Sequence, residues 1–185
     1  MSKRMISISF IGLLLIFGWF WTEGYGFVHT DMTGNSIEEA LFHYSLNGPI
    51  NFKYGEILEI IETDNKYIVF YENFQTRAVN VAFIKKKWNG KRKVSTVSGS
   101  VQIDSFPGQA MPYSWKWLNE KDLTVYWGVV HDPHINNIKI DDEEAIIITV
   151  KNITIWYYKS HETFSTKEIS AYDKNGHLIE WNNEY

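Results

Sequence analysis

The chain has 185 residues, no cysteine, a formal net charge of −4, 44% hydrophobic residues and 16% aromatic residues. Without cysteine it is neither a disulfide-stapled miniprotein, a Cys-ligated zinc finger nor a thiol enzyme, and its acidic balance excludes a basic nucleic-acid binder. Eight Trp, eleven Tyr and eleven Phe bring too much apolar surface for a disordered chain, so one or two globular units are expected.

Lys3 and Arg4 precede an uncharged run from Met5 to Thr22. As a helix that run reaches about 27 Å, close to the thickness of a bilayer core. Ser7 and Ser9 are its only polar side chains before Thr22, so it lacks the polar face of a globular helix. A transmembrane or signal helix over residues 1–22 is therefore expected, with the basic pair cytoplasmic and all later residues outside the cytoplasm. Trp19, Trp21 and Tyr25 then fall in the outer interfacial belt. Only Gly24 and Gly26 approach the small residues that signal peptidase needs, which favours an uncleaved anchor; cleavage would make the remainder a secreted protein. Setting the span aside leaves 16 basic residues (18 less Lys3 and Arg4) against 22 acidic ones, a net charge of −6 for the exported part.

Residues 23–35 read as a linker. Ser36 and Glu39 then make a capping box for the helix IEEALFHYSL, which Asn47-Gly48-Pro49 ends. Beyond it the chain is rich in Ile, Val, Tyr, Trp and Thr, with turn residues at short intervals. Strands are predicted near Glu56–Glu62, Lys66–Tyr71, Arg77–Lys86, Arg92–Val97, Tyr113–Trp117, Leu123–Val130, Ile138–Ile140, Ala145–Val150, Ile153–Tyr158, Glu168–Asp173 and His177–Trp181. Asn89-Gly90 and Asn175-Gly176 are each placed as the two central residues of a type I′ hairpin turn. Ile60–Tyr71 aligns without a gap on Ile147–Tyr158, and each is followed by a strand, an Asn-Gly turn and another strand, the pattern of a weak duplication. Ser98–Gln109 marks the boundary between a first lobe at 36–98 and a second at 99–185. The expected fold is mainly β (α+β): an N-terminal transmembrane or signal helix, one short capped helix, then antiparallel β-hairpins in a sandwich-like or two-lobed sheet.

Lys85, Lys86, Lys87, Trp88, Lys91, Arg92 and Lys93 surround one turn, six bases and an indole on an otherwise acidic domain. Such a tip suits anionic lipid headgroups or a polyanionic wall polymer, although edge lysines also serve simply to prevent strand-to-strand aggregation. His131, Asp132 and His134 offer two imidazoles and a carboxylate for a metal or for acid–base work, but Asp132-Pro133 initiates turns and helical ligand spacing is missing. Asp141–Glu144 suits either a cation or a polar hairpin tip, and Asp173–Gly176 suits a hairpin better than a calcium loop. Tyr113, Trp115, Trp117, Tyr126 and Trp127 are candidates for a stacking groove, though alternation also fits them to a sandwich core. No nucleophile elbow, phosphate loop or dinucleotide fingerprint occurs, and no cofactor is expected.

The basic start, single span, capped Ile37-Glu38-Glu39-Ala40-Leu41 helix, Tyr126-Trp127-Gly128 and closing Ile169–Gly176 segment resemble the small membrane-anchored or secreted proteins of unknown function from Gram-positive bacilli. That resemblance implies an extracytoplasmic β-rich domain tethered to the cell membrane and assigns no catalytic residue. A binding or structural module is thus the first expectation. A metal-assisted hydrolase using His131, Asp132 and His134 is one alternative, and an accessory or immunity-type partner of another membrane protein is a further one.

Overall fold

The structure, a computed structural model, describes residues 32–47, 53–104, 113–120, 123–162 and 167–180. The expected anchor at 1–22 and most of the linker lie outside these residues. No described helix is long and apolar enough to cross a membrane.

The chain enters through a two-residue strand, β1 (Thr33–Gly34), and turns into helix α1 (Ile37–Asn47). The capping box forms with one change of partner. Ser36 Oγ accepts the Glu39 amide at 3.1 Å, while Glu39 reaches back to the amide of Asn35, at 2.7 Å, instead of that of Ser36. Gly34 allows this tight entry, because a Cβ there would stand 2.4 Å from the Ala40 nitrogen.

Four strands follow as a meander: β2 (Tyr54–Thr63), β3 (Lys66–Asn73), β4 (Ala78–Lys86) and β5 (Arg92–Val97). With β1 at one edge they give the order β1-β5-β4-β3-β2, and β6 (Val101–Gln102) joins β4 in line beyond β5. Asn80 and Ser98 hold that joint together. Ser98 Oγ accepts the Val81 amide at 2.9 Å, and the Asn80 amide group donates to the Ser98 carbonyl at 3.2 Å. The expected boundary at Ser98–Gln109 thus begins inside the first sheet, whose Val101 belongs to the core.

The second sheet has the order β11-β12-β8-β7, from β7 (Tyr113–Glu120), β8 (Leu123–Val130), β11 (Ile146–Val150) and β12 (Ile153–Ser160). A third, small sheet holds β10 (Glu143–Glu144), β9 (Asn137–Ile140) and β13 (Ile169–Tyr172) in that order, all pairings being antiparallel. The aligned hairpins β2–β3 and β11–β12 share a register, Ile60 opposite Val69 and Ile147 opposite Trp156. Their continuations part, since β4 joins β3 whereas β13 leaves for the third sheet.

Side-chain alternation stacks these pieces in four layers. On β4, Val79, Val81 and Phe83 face the second sheet while Ala82 and Ile84 lie under α1. On β8, Val125, Trp127 and Val129 face the first sheet while Tyr126 lies under the third. Both strands are covered on both faces, so seven successive residues of each are buried, mostly apolar with Asn80 and Thr124 as the polar exceptions, where a one-sided strand would alternate. Rings meet across the central layer, Phe70 and Tyr157 having centroids 5.2 Å apart.

Both Asn-Gly turns differ from the expected type I′. Gly90 N–H donates to the Lys87 carbonyl at 2.9 Å and Lys87 N–H to the Lys91 carbonyl at 2.7 Å, which makes a three-residue loop with glycine alone at positive φ, +80°. Gly176 repeats this against Asp173 and His177, at φ +81°. A type I turn followed by a left-handed glycine carries the same dipeptide signal, with asparagine one place earlier and right-handed. Gly90→Ala is expected to cost about 1 kcal/mol through that backbone conformation alone, because a Cβ there meets nothing within 4 Å; urea denaturation of the variant measures it.

Candidate functional site

The β4–β5 hairpin sorts its seven candidate residues into two groups. Lys85 points between the sheets and pairs with Glu120 at the end of β7. Arg92 turns back to the backbone, its Nη1 donating at 2.8 Å to both the Asn35 and the Gly90 carbonyls. Lys86, Lys87, Trp88, Lys91 and Lys93 remain exposed, and Trp88 is 98% accessible at the turn itself. The sequence therefore brought out the tip but not the two bases that leave it to hold the fold.

Glu120 is only 9% exposed and also accepts Ser95 Oγ at 2.6 Å. Burial alone would raise its pKa, yet the hydrogen bonds from Lys85 and Ser95 and the charges of Lys85 and Lys66 outweigh it, leaving the carboxyl below its ordinary range. The pair anchors the root of the basic hairpin to the second sheet.

In a meander alternate turns come to the same end, and the β2–β3 turn at Asp64-Asn65 sits beside the basic tip. The two are stitched where Lys86 N–H donates to the Asn65 carbonyl at 3.2 Å. Between them lies a cleft of about 410 Å³, with Glu62, Asp64 and Lys66 on one wall and Lys86, Lys87 and Trp88 on the other. Sequence reasoning missed the first wall. The signal available was the even spacing of the meander, which sets Lys66 opposite Lys85.

The histidine cluster is arranged differently from a metal centre. Asp132 Oδ1 accepts the His134 amide at 2.8 Å and lies 2.8 Å from His134 Nδ1, closing a local turn. The His134 backbone N–H holds the Asp132 carboxyl below its ordinary range. His131 is half-buried beside Ile103 and Asp104, and burial lowers its pKa against the opposing pull of Asp104. Among the described residues no three His, Asp or Glu side chains converge on a metal-sized site.

Two members of the acidic run, Asp141 and Glu144, serve the structure. Asp141 accepts the Glu168 amide at 3.0 Å and pairs with Lys167 at 2.9 Å, and Glu144 accepts from the Asn137 side chain at 3.0 Å. Asp173 accepts the Asn175 and His177 amides, at 2.8 and 2.9 Å, within its own hairpin. The aromatic set divides between layers: Trp127 is in the central core, Tyr126 lies beneath the third sheet, and Trp117 is partly exposed beside it. The side chains of Tyr113 and Trp115 lie outside the described residues.

No protein-family model, curated protein or solved structure matches the chain.

Proposed function

We propose that this chain is a single-pass membrane protein of the small Gram-positive kind, anchored by residues 5–22, whose extracytoplasmic β-domain is a binding module. Its contact surface in this reading is the β4–β5 tip, and its partner is an anionic headgroup layer. The observation that carries the reading is Trp88: an indole left 98% exposed among Lys86, Lys87, Lys91 and Lys93, on a part of the chain with net charge −6. Indoles favour the boundary between headgroups and acyl chains, and lysines beside them favour a negative surface.

Magnitudes support a tethered contact. About 1 kcal/mol per lysine gives the tip roughly 4 kcal/mol, a millimolar affinity that would not hold a free domain. A short linker supplies an effective concentration of the same order. The chain enters at Thr33 and Gly34, which pair with Lys93 and Arg92 directly beside the turn of the same hairpin. Residues 23–32 can extend about 36 Å at most, so an anchored domain keeps its basic tip within reach of the bilayer.

Trypsin reads the contact directly, because the tip offers Lys86, Lys87 and Lys91. In full-length protein reconstituted into phosphatidylglycerol nanodiscs, cleavage there is expected to slow at least fivefold relative to phosphatidylcholine nanodiscs. The protection should disappear in 0.5 M salt and in a Trp88→Ser variant. Equal cleavage in both lipids would remove the tip as the contact surface, and release of the protein from membranes by alkaline extraction would remove the anchor.

A further inference from the structure

The cleft beside the tip carries charges that a purely anionic surface does not use. Its lining includes Lys86 and Lys87, Glu62 and Asp64, and Trp88; Lys66 also borders it, but stands opposite Lys85 on the sheet, where its charge reaches Glu120. A plain anion entering it would satisfy the lysines but meet repulsion from Glu62 and Asp64. A plain cation would meet the converse. A ligand with a phosphate at one end and an ammonium at the other satisfies both sets, its ammonium between the carboxylates and the indole face. At about 410 Å³ the cleft lies within the usual 300–1,000 Å³ range of small-molecule sites. Its two walls are fixed relative to each other by the hydrogen bond from Lys86 N–H to the Asn65 carbonyl and by the β3–β4 pairing that sets Lys66 opposite Lys85.

We infer that the cleft between the β2–β3 and β4–β5 turns is a subsite for a phosphate group linked to a primary amine, a zwitterionic headgroup of the ethanolamine kind. The inference rests on the tip being the contact surface and adds a chemical preference to it: the lysines outside the cleft meet negative charge in general, and the cleft selects a headgroup that also carries a positive one. Glu62 and Asp64 are then selectivity residues, a role the basic tip alone does not supply.

The test uses full-length protein in a non-ionic detergent and four soluble probes, O-phosphoethanolamine, inorganic phosphate, ethanolamine and N-acetylglucosamine, followed by titration calorimetry. O-phosphoethanolamine is expected to bind at least tenfold more tightly than inorganic phosphate or ethanolamine. Combining Glu62→Gln with Asp64→Asn should abolish that margin while leaving phosphate binding equal or tighter. Lys86→Gln with Lys87→Gln should weaken both phosphate-bearing probes at least fivefold. All four positions are at the surface and outside the core, so the variants retain the fold, which circular dichroism verifies.

A second arm separates the sources of the headgroup. In nanodiscs containing phosphatidylethanolamine the soluble probe should lose at least fivefold in apparent affinity relative to phosphatidylglycerol nanodiscs, because lipid occupies the cleft; an unchanged affinity would assign the site to a soluble or wall-borne phosphate–amine instead. Equal binding of phosphate and O-phosphoethanolamine, no binding of either, or a response to N-acetylglucosamine alone would overturn the inference. Slower trypsin cleavage on phosphatidylglycerol could persist in each of those cases, so the failure of the subsite and the failure of the contact surface are read separately.

Discussion

Trp127→Ala is expected to lower the unfolding free energy by about 3–5 kcal/mol, the largest effect of any single substitution considered. The side chain is fully buried in the central layer, on β8 between Val125 and Val129 and opposite the Phe70 and Phe83 face of the first sheet. Removing it empties the one region that both sheets share, where flanking strands cannot collapse without breaking their registers. Trp127→Phe is expected to cost much less, about 1 kcal/mol. The indole Nε1 is buried without a hydrogen-bond partner among the described residues, so phenylalanine removes an unsatisfied donor together with the volume it loses. Urea denaturation of the detergent-solubilised chain measures both, with Trp88→Ala as the control that should leave stability within about 0.5 kcal/mol. Comparable losses for Trp127→Ala and Trp127→Phe would mean that the packed indole, and not filled volume, holds the layer together.

Glu120→Ala should rank second, at about 2–3 kcal/mol. Breaking a fully buried ion pair costs about 3–5 kcal/mol, and here Lys85, 36% exposed, recovers part of its hydration. The same carboxylate sets a pH response. Its pKa is lower in the native state than in the unfolded chain, so below the ordinary glutamate range the unfolded state binds more protons. Stability from this group is therefore complete at neutral pH and is lost as pH falls through the depressed native value. Denaturation midpoints of Glu120→Gln should vary less between pH 3 and pH 6 than those of the parent chain. A parallel pH dependence in the two proteins would take Glu120 out of the acid response.

Much of the β architecture is legible in the amino-acid pattern because both central strands are mostly apolar on both faces and bounded by turn residues. Arg92–Val97 and Leu123–Val130 have the bounds expected of them. Other limits are set from far along the chain. Lys159 and Ser160 extend β12 because Val125 and Thr124 stand opposite them, and Val101–Gln102 is a strand only because β4 has a vacant edge beyond β5. Two-residue strands carry no periodicity for a reader to find. The tip was legible through its lysines and its Asn-Gly, whereas the turn geometry was not, since Asn-Gly suits both a two-residue turn and a glycine bulge. Equally invisible was the recruitment of Lys85 by Glu120, a tertiary pairing. In the histidine cluster Asp132 and His134 satisfy their own turn while His131 lies half-buried beside Ile103 and Asp104, a division that residue types alone do not reveal.

The order of the layers along the chain bears on how the molecule is made. Synthesis delivers α1 and the whole first sheet by Gln102, with the helix side already covered by Ala40 and Leu41. The other side at that moment presents Ile68, Phe70, Val79, Val81 and Phe83 to solvent, since the residues of the second sheet that cover them come from β7, β8, β11 and β12. A nascent chain halted there would be a half-sandwich, with a sticky face and open strand edges, suited to pairing with another copy of itself. Cooperative folding must wait until β12 has emerged near Ser160, so a ribosome pause or a truncation between these points exposes the chain to aggregation that the finished protein avoids by covering that face.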